Sequence, residues 1–254
     1  MRAGHKTPDS IPFFPAQKLD DVAQTPYTIW DFFPPAWTCP WDMQRVGQLG
    51  DGGKWVCGMS LYEEQTDPPT VMYSFGVNNR STFEAEMLVR SNVEIFAFDH
   101  STEGLEAPLT AEQRSRVQFM KLVLGGEDQL QREPPIYTLN TLMQLHEHEY
   151  IDILKIDIEG AEYAALDAVM NEFQGRPLPL GQVIISMHLE DKTDITFPRF
   201  YEWWERLESY GMRATSFEVD LLAITTSAQK RNPDRVEYVW VNTQDPQSIL
   251  LREL

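Results

Sequence analysis

The stretch Ile151-Asp152-Ile153-Leu154-Lys155-Ile156-Asp157-Ile158-Glu159-Gly160 decides the fold. It is an apolar run of strand length, rich in isoleucine and stopped by a glycine, as expected of a strand buried on both faces of a parallel sheet. Lys155, Asp157 and Glu159 alternate with apolar residues, so their side chains share one face. Charges in such a run cost free energy unless they are paired or used. Two readings stay open: a structural Lys155–Asp157 ion pair, or Asp157 and Glu159 standing at the mouth of a site.

Working outward, similar runs occur at Val71 to Phe75, Val93 to Phe98, Val117 to Leu124 and Val183 to Met187. Helical patterns separate them. Ser81-Thr82-Phe83-Glu84 has the spacing of a capping box, and Gly160 to Phe173 has apolar residues at helical intervals. Phe200, Trp203, Trp204 and Leu207 form an amphipathic stripe that stops at Gly211, a C-cap residue. Arg213 to Val219 and Val236 to Val241 read as a terminal antiparallel pair. The prediction is an α/β fold with a Rossmann-like sheet, mostly parallel with a reversed edge strand, and helices on both faces. This domain is expected over residues 46–254. Residues 1–45 differ, with Pro8, Pro12, Pro15, Pro26, Pro34, Pro35 and Pro40 among Phe13, Phe14, Tyr27, Trp30, Phe32, Phe33, Trp37 and Trp41. Proline at that density defeats long helices, so an irregular arm is expected, packed on the domain. The aromatic residues Phe32, Phe33, Trp37, Trp41, Trp203 and Trp204 are core or the walls of a substrate pocket.

In an open α/β sheet the ligand lies beyond the carboxyl ends of the strands. There the first run ends in Gly76 and the second in Asp99, an acid placed to accept from both ribose hydroxyls of a nucleoside. The phosphate-binding Gly-x-Gly-x-x-Gly pattern is absent, since Asn78 and Ser81 stand where its glycines belong. An adenosyl ligand without phosphates therefore fits better than NAD. The third run ends in Gly125-Gly126-Glu127-Asp128, placed to border the adenine with Gly126 and either Glu127 or Asp128. The fifth ends in Ser186-Met187-His188-Leu189-Glu190, where His188 is positioned to take a proton from an acceptor. Asp157, Glu159, His188 and Glu190 could together hold a divalent cation. No spacing here is a metal signature, so that variant is not favoured. His5, His146 and His148 lack such placement, and His146-Glu147-His148-Glu149 reads as a solvated helix end.

The formal net charge of −18 would repel phosphate backbones and anionic membranes. Nucleic acid and membrane are thus poor partners, and a small-molecule acceptor is expected. No apolar stretch approaches the ~20 residues that span a bilayer, and the first residues do not form a secretory signal. The expectation is a cytoplasmic protein with Cys39 and Cys57 free, a disulfide staying open should the natural chain be longer and secreted. Oligomeric state is not legible.

Leu154-Lys155-Ile156-Asp157-Ile158-Glu159-Gly160-Ala161-Glu162 resembles the Lys-Ile-Asp-x-Glu-Gly-x-Glu signature of FkbM-type methyltransferases. Gly50-Asp51-Gly52-Gly53-Lys54-Trp55-Val56-Cys57 resembles a Gly-Asp-Gly-Gly-Lys-Trp block in a related branch of methyltransferase-like proteins from fungi and animals. Ser74 to Val77 and Ala97 to Asp99 look like that branch's first two strand ends, and the resemblance runs from about Trp37 to Asn242. It implies the seven-stranded class I methyltransferase fold, S-adenosyl-L-methionine as donor and O-methylation of a small molecule or sugar-like acceptor. Within it Asp51, Gly53 and Lys54 belong to a loop over the donor, with Lys54 near the methionine carboxylate. One departure stands out: most such domains carry an acid two residues before the strand-one glycine, and this chain has Ser74 there. A methyltransferase-fold scaffold without catalysis is the alternative reading.

Overall fold

Apolar runs of six residues form the middle of the molecule because only a sheet covered on both sides can bury them without alternation. The computed structural model describes residues 27–50, 52–189, 195–221, 225 and 233–251. In chain order, α1 (Tyr27–Trp30) precedes β1 (Met43–Val46), β2 (Lys54–Cys57) and α2 (Met59–Glu64). Then come β3 (Thr70–Phe75), α3 (Thr82–Arg90), β4 (Val93–Phe98), α4 (Ala111–Ser115), β5 (Val117–Met120), β6 (Val123–Leu124), β7 (Ile136–Tyr137) and α5 (Leu139–Leu145). The chain continues through β8 (Ile151–Ile156), α6 (Glu162–Glu172), β9 (Leu180–His188), α7 (Phe197–Ser209), β10 (Met212–Val219) and β11 (Arg235–Asn242).

The seven-stranded sheet has the order β10-β11-β9-β8-β3-β4-β5. β3 pairs in parallel with β4 on one side and β8 on the other, so the strand order reverses at β3. One apolar cluster, with Phe75, Leu154, Leu166 and Trp204, fills the α6–α7 side. A second, with Met59, Tyr62, Phe83 and Met87, fills the α2–α3 side. Helices therefore cover both faces.

The strand order, the third run, the expected cap and the histidine pair differ from the sequence expectations. The reversed strand is not at the edge: β11 runs antiparallel between β9 and β10. Its residues from Tyr238 on are all buried, whereas β10 alternates toward solvent, so β11 takes the inner place and β10 the edge. The run from Val117 to Leu124 breaks in two, because β5 stops level with the end of β4 and β6 leaves to pair with β7. Ser81 makes no capping bond, since Glu84 turns inward to accept from Ser74 Oγ at 2.6 Å; a true capping box forms at Thr110 and Gln113 instead. His146 and His148 are no solvated helix end: His148 Nδ1 lies 2.8 Å from Tyr73 Oη and both rings pack on Phe96.

The stripe of α7 is core. Trp203, Trp204 and Phe200 pack with Trp30 and Phe33, which are 2% and 3% exposed. Trp37 and Trp41 pack on the other cluster. The residues of the arm that precede Tyr27 lie outside the described set. Cys39 and Cys57, expected free, form a disulfide (Cα–Cα 5.9 Å). It closes the chain around the β1–β2 hairpin, in which Met43 pairs opposite Cys57; a residue preceding a hairpin can meet one at its far end, a proximity that the compartment rule ignores. Among the described residues no helix is long and apolar enough to cross a membrane.

Candidate active site

Two tight turns meet where the sheet order reverses. After β3, Gly76 takes φ +72° and donates its N–H to Phe98 O at 3.0 Å, while Asp157 N donates to Phe75 O at 3.1 Å. A Cβ built on Gly76 would stand 1.9 Å from the carbonyl oxygen of Asp157, so the two strand ends touch backbone to backbone. Asn78 (φ +44°) and Glu159 (φ +52°) are non-glycine residues in the left-handed region. Such conformations cost about 1–3 kcal/mol and concentrate at sites. Both residues line one cavity of about 800 Å³ at the carboxyl ends of β3, β4 and β8.

At one end of the cavity Asp99 is 6% exposed. Its Oδ2 accepts from Asn78 N at 2.8 Å, and its Oδ1 accepts from Ser101 N at 2.7 Å and Ser101 Oγ at 2.6 Å. Burial pushes this carboxyl up, but those hydrogen bonds outweigh it and hold the pKa below the usual value. Asp99 thus ties the loop after β3 to the loop after β4. Beside it the wall is apolar: Phe75 and Phe98 stack at 4.6 Å, and Leu122, Val123 and Leu124 continue the lining. Gly126, Glu127 and Asp128, expected at the adenine, are not in the lining. Gly126 packs on Ala164, and Asp128 accepts from Thr138 N and Thr141 Oγ1 at the start of α5.

At the other end lies a network of buried charges. Lys54, the first residue of β2, is paired with Glu237 near the start of β11 and lies 3.4 Å from Asp157 Oδ2 and 3.4 Å from Ser186 Oγ. Burial pushes Lys54 down, yet Glu237 and Asp157 more than reverse this and it is held charged. Burial also pushes Asp157 up, and Lys54, Lys155 and His188 overcome it to lower its pKa. Glu237 is raised, burial outweighing Lys54. His188 is 2% exposed. Its Nδ1 is 3.1 Å from Glu162 Oε1 and its Nε2 3.8 Å from Asp157 Oδ1. Burial alone would lower its pKa, but Glu162 and then Asp157 raise it above 6.5, with Arg235 opposing. Of the two readings left open for the charged face of β8, the Lys155–Asp157 ion pair does not form: Lys155 pairs with Glu84 at 3.8 Å and donates to Gly76 O at 2.6 Å.

The structure therefore brings Gly76, Asp99, Asp157, Glu159, His188, Gly53 and Lys54 to one cavity. Lys54, expected at a ligand carboxylate, is already held by two protein carboxylates. Asp51 and Glu190 lie outside the described residues. Among the described residues no three His, Cys, Asp or Glu side chains are grouped to hold a metal ion. Sequence reasoning missed Glu84, Glu162 and Glu237. Glu162 was within the quoted signature, but its role needs α6 to place it against His188 N, which donates to it at 2.7 Å.

Among solved structures the chain is similar to M. capricolum TrmK in complex with the natural cofactor product S-adenosyl-homocysteine (10% identity, 74% of this chain and 68% of that one, TM-score 0.39). It is likewise similar to the Methanococcus jannaschii fibrillarin pre-rRNA processing protein (12%, 79% and 82%, 0.39) and a human methyltransferase 10 domain containing protein (9%, 74% and 79%, 0.40). A search of curated proteins finds no significant match. The sequence matches the family described as "Methyltransferase domain" over residues 15–217. With most of its length matched, and with a glycine turn and strand-end acid meeting at the reversal of a seven-stranded sheet, the chain belongs to this methyltransferase-domain family.

Proposed function

We propose that the protein is an S-adenosylmethionine-dependent methyltransferase that methylates an oxygen of a small, sugar-like acceptor. The observation that carries this reading is the Glu162–His188–Asp157 alignment opening on the same cavity as Gly76 and Asp99. The cavity suits the donor: Gly76 lets the ends of β3 and β8 close up behind it, Asp99 Oδ2 has an acceptor position left for a ribose hydroxyl, and Phe98, Leu122 and Leu124 offer an apolar wall for adenine. When bound, the donor supplies an electrophilic methyl group. The chain's own task is then to orient the acceptor and receive its proton. His188 takes the proton at Nε2, Glu162 fixes the ring through Nδ1, and Asp157 stabilises the cation. Glu84, Asp99, Asp157, Glu159, Glu218, Asp220 and Glu237 line the cavity against Arg45, Lys54, Arg80, Lys155 and Arg235. That acidic balance disfavours a phosphate-rich acceptor. The FkbM-type signature at Leu154 to Glu162 supports an oxygen acceptor.

The test is calorimetric titration with S-adenosylhomocysteine, with NAD and UDP-glucose as controls. Micromolar binding of the adenosyl ligand alone is expected, and Asp99→Ala should weaken it by more than about 1 kcal/mol through lost hydrogen bonds. Binding of NAD or UDP-glucose instead would overturn the reading.

Only neutral His188 can accept a proton, so turnover should rise with pH through a midpoint above 6.5. His188→Gln should lower kcat by about 10²–10⁴ and flatten that rise; an unchanged profile would remove His188 from the reaction. The stability sign is opposite. A folded-state pKa raised above the unfolded one contributes stability that is complete below the unfolded value and is lost as pH climbs through the folded value.

A further inference from the structure

We propose that Glu84 receives the α-ammonium group of the donor's amino-acid end, an assignment that rests on the donor reading above. Glu84 sits in the first turn of α3 and is 2% exposed, yet it lines the cavity. Its Oε1 is satisfied: it accepts from Ser74 Oγ at 2.6 Å and faces Lys155 Nζ at 3.8 Å. Among the described residues none donates a hydrogen bond to its Oε2, and that atom is not among the polar atoms sealed from solvent without a partner. The oxygen without a partner is therefore the one that can meet a ligand.

Charge points the same way. Around Gly76 the ammonium groups of Lys54 and Lys155 face the carboxylates of Glu84, Asp157 and Glu237, one acid more than base, while His188 is matched by Glu162. Lys155 Nζ donates to Gly76 O at 2.6 Å and faces Glu84 through Oε1 rather than Oε2. A buried carboxylate with one open oxygen, in a group of side chains with one acid more than base, favours a cation with N–H donors. Glu84 also meets Gly76, through Lys155, between the Asp99 end of the cavity and Asp157. An amino-acid chain extending from a nucleoside held at Asp99 toward Asp157 would pass it.

The experiment compares S-adenosylhomocysteine with its analogue lacking only the amino group, titrated by calorimetry into wild type and Glu84→Gln. The amide keeps the Ser74 hydrogen bond and removes the charge. Expected is an affinity loss of at least tenfold for S-adenosylhomocysteine and less than twofold for the amino-free analogue. Ser74→Asp added to Glu84→Gln should recover most of the loss, since it restores a carboxylate at the same spot. Should Glu84→Gln fold poorly, Glu84→Asp, which retains charge but withdraws Oε2, should show a smaller loss with the same selectivity. Equal losses for both ligands would overturn the proposal by making Glu84 a shaping residue, and so would no loss for either. Wild type that binds neither ligand would instead sink the donor reading, and this proposal with it.

Discussion

Gly76→Ala should destabilise the protein by about 2–5 kcal/mol and abolish micromolar binding of S-adenosylhomocysteine. Two costs add. A residue with a Cβ at φ +72° loses about 1–2 kcal/mol to left-handed strain. The new methyl group would also lie 1.9 Å from Asp157 O, a backbone atom at the end of β8 that no rotamer change can move. Relieving the overlap means parting β3 from β8, an overpacking cost of about 1–3 kcal/mol. Gly175→Ala separates the two terms: Gly175 has φ +79° but nothing within 4 Å of its would-be Cβ, so it should cost the strain alone and leave ligand binding intact. Urea unfolding and calorimetry of both variants decide the matter. If the two lose the same stability, the backbone contact between the strand ends carries no weight.

Breaking the Cys39–Cys57 disulfide should cost about 3 kcal/mol by the loop-closure model for a separation of 18 residues. For a domain of this size that is a fall in Tm of about 6–12 °C. The loss should be local in origin. Gln182 holds Cys57 from the sheet side, accepting from its N–H at 3.2 Å and donating to its O at 3.1 Å. β2 thus keeps its anchor, and the segment from Trp37 to Asp42 gains the freedom. Melting curves of wild type and Cys39→Ser/Cys57→Ser under oxidising conditions give the answer; coincident curves would remove the disulfide from the stability of the fold.

The central strands were legible because burial on both faces leaves a mostly apolar run without regular alternation, as in Ile151 to Ile156 and Val93 to Phe98. The order of the last two strands was not, since two runs of similar length say nothing about which lies inside. The β1–β2 hairpin also escaped notice: its strands are four residues each, and Asp51-Gly52-Gly53 reads locally as a turn and no more. In the site, Gly76, Asp99, Asp157 and His188 could be found because each ends a strand run. Glu84 had a local explanation, the capping box, that its tertiary partners Ser74 and Lys155 override. Glu237 lies near the start of β11, and a search of carboxyl ends passes over the strand that runs the other way in the central sheet.

That reversal divides the cavity into two heritable parts. Gly76, Asp99 and Asp157 come from the parallel strands, whereas Glu218 and Glu237 come from the antiparallel pair at the end of the chain. The β10–β11 unit could be exchanged for one suited to a different acceptor while the proposed donor pocket stays as it is. One side chain would police such a transplant: Lys54, bound to Asp157 on one side and Glu237 on the other, would admit only replacements that bring their own anion to that position.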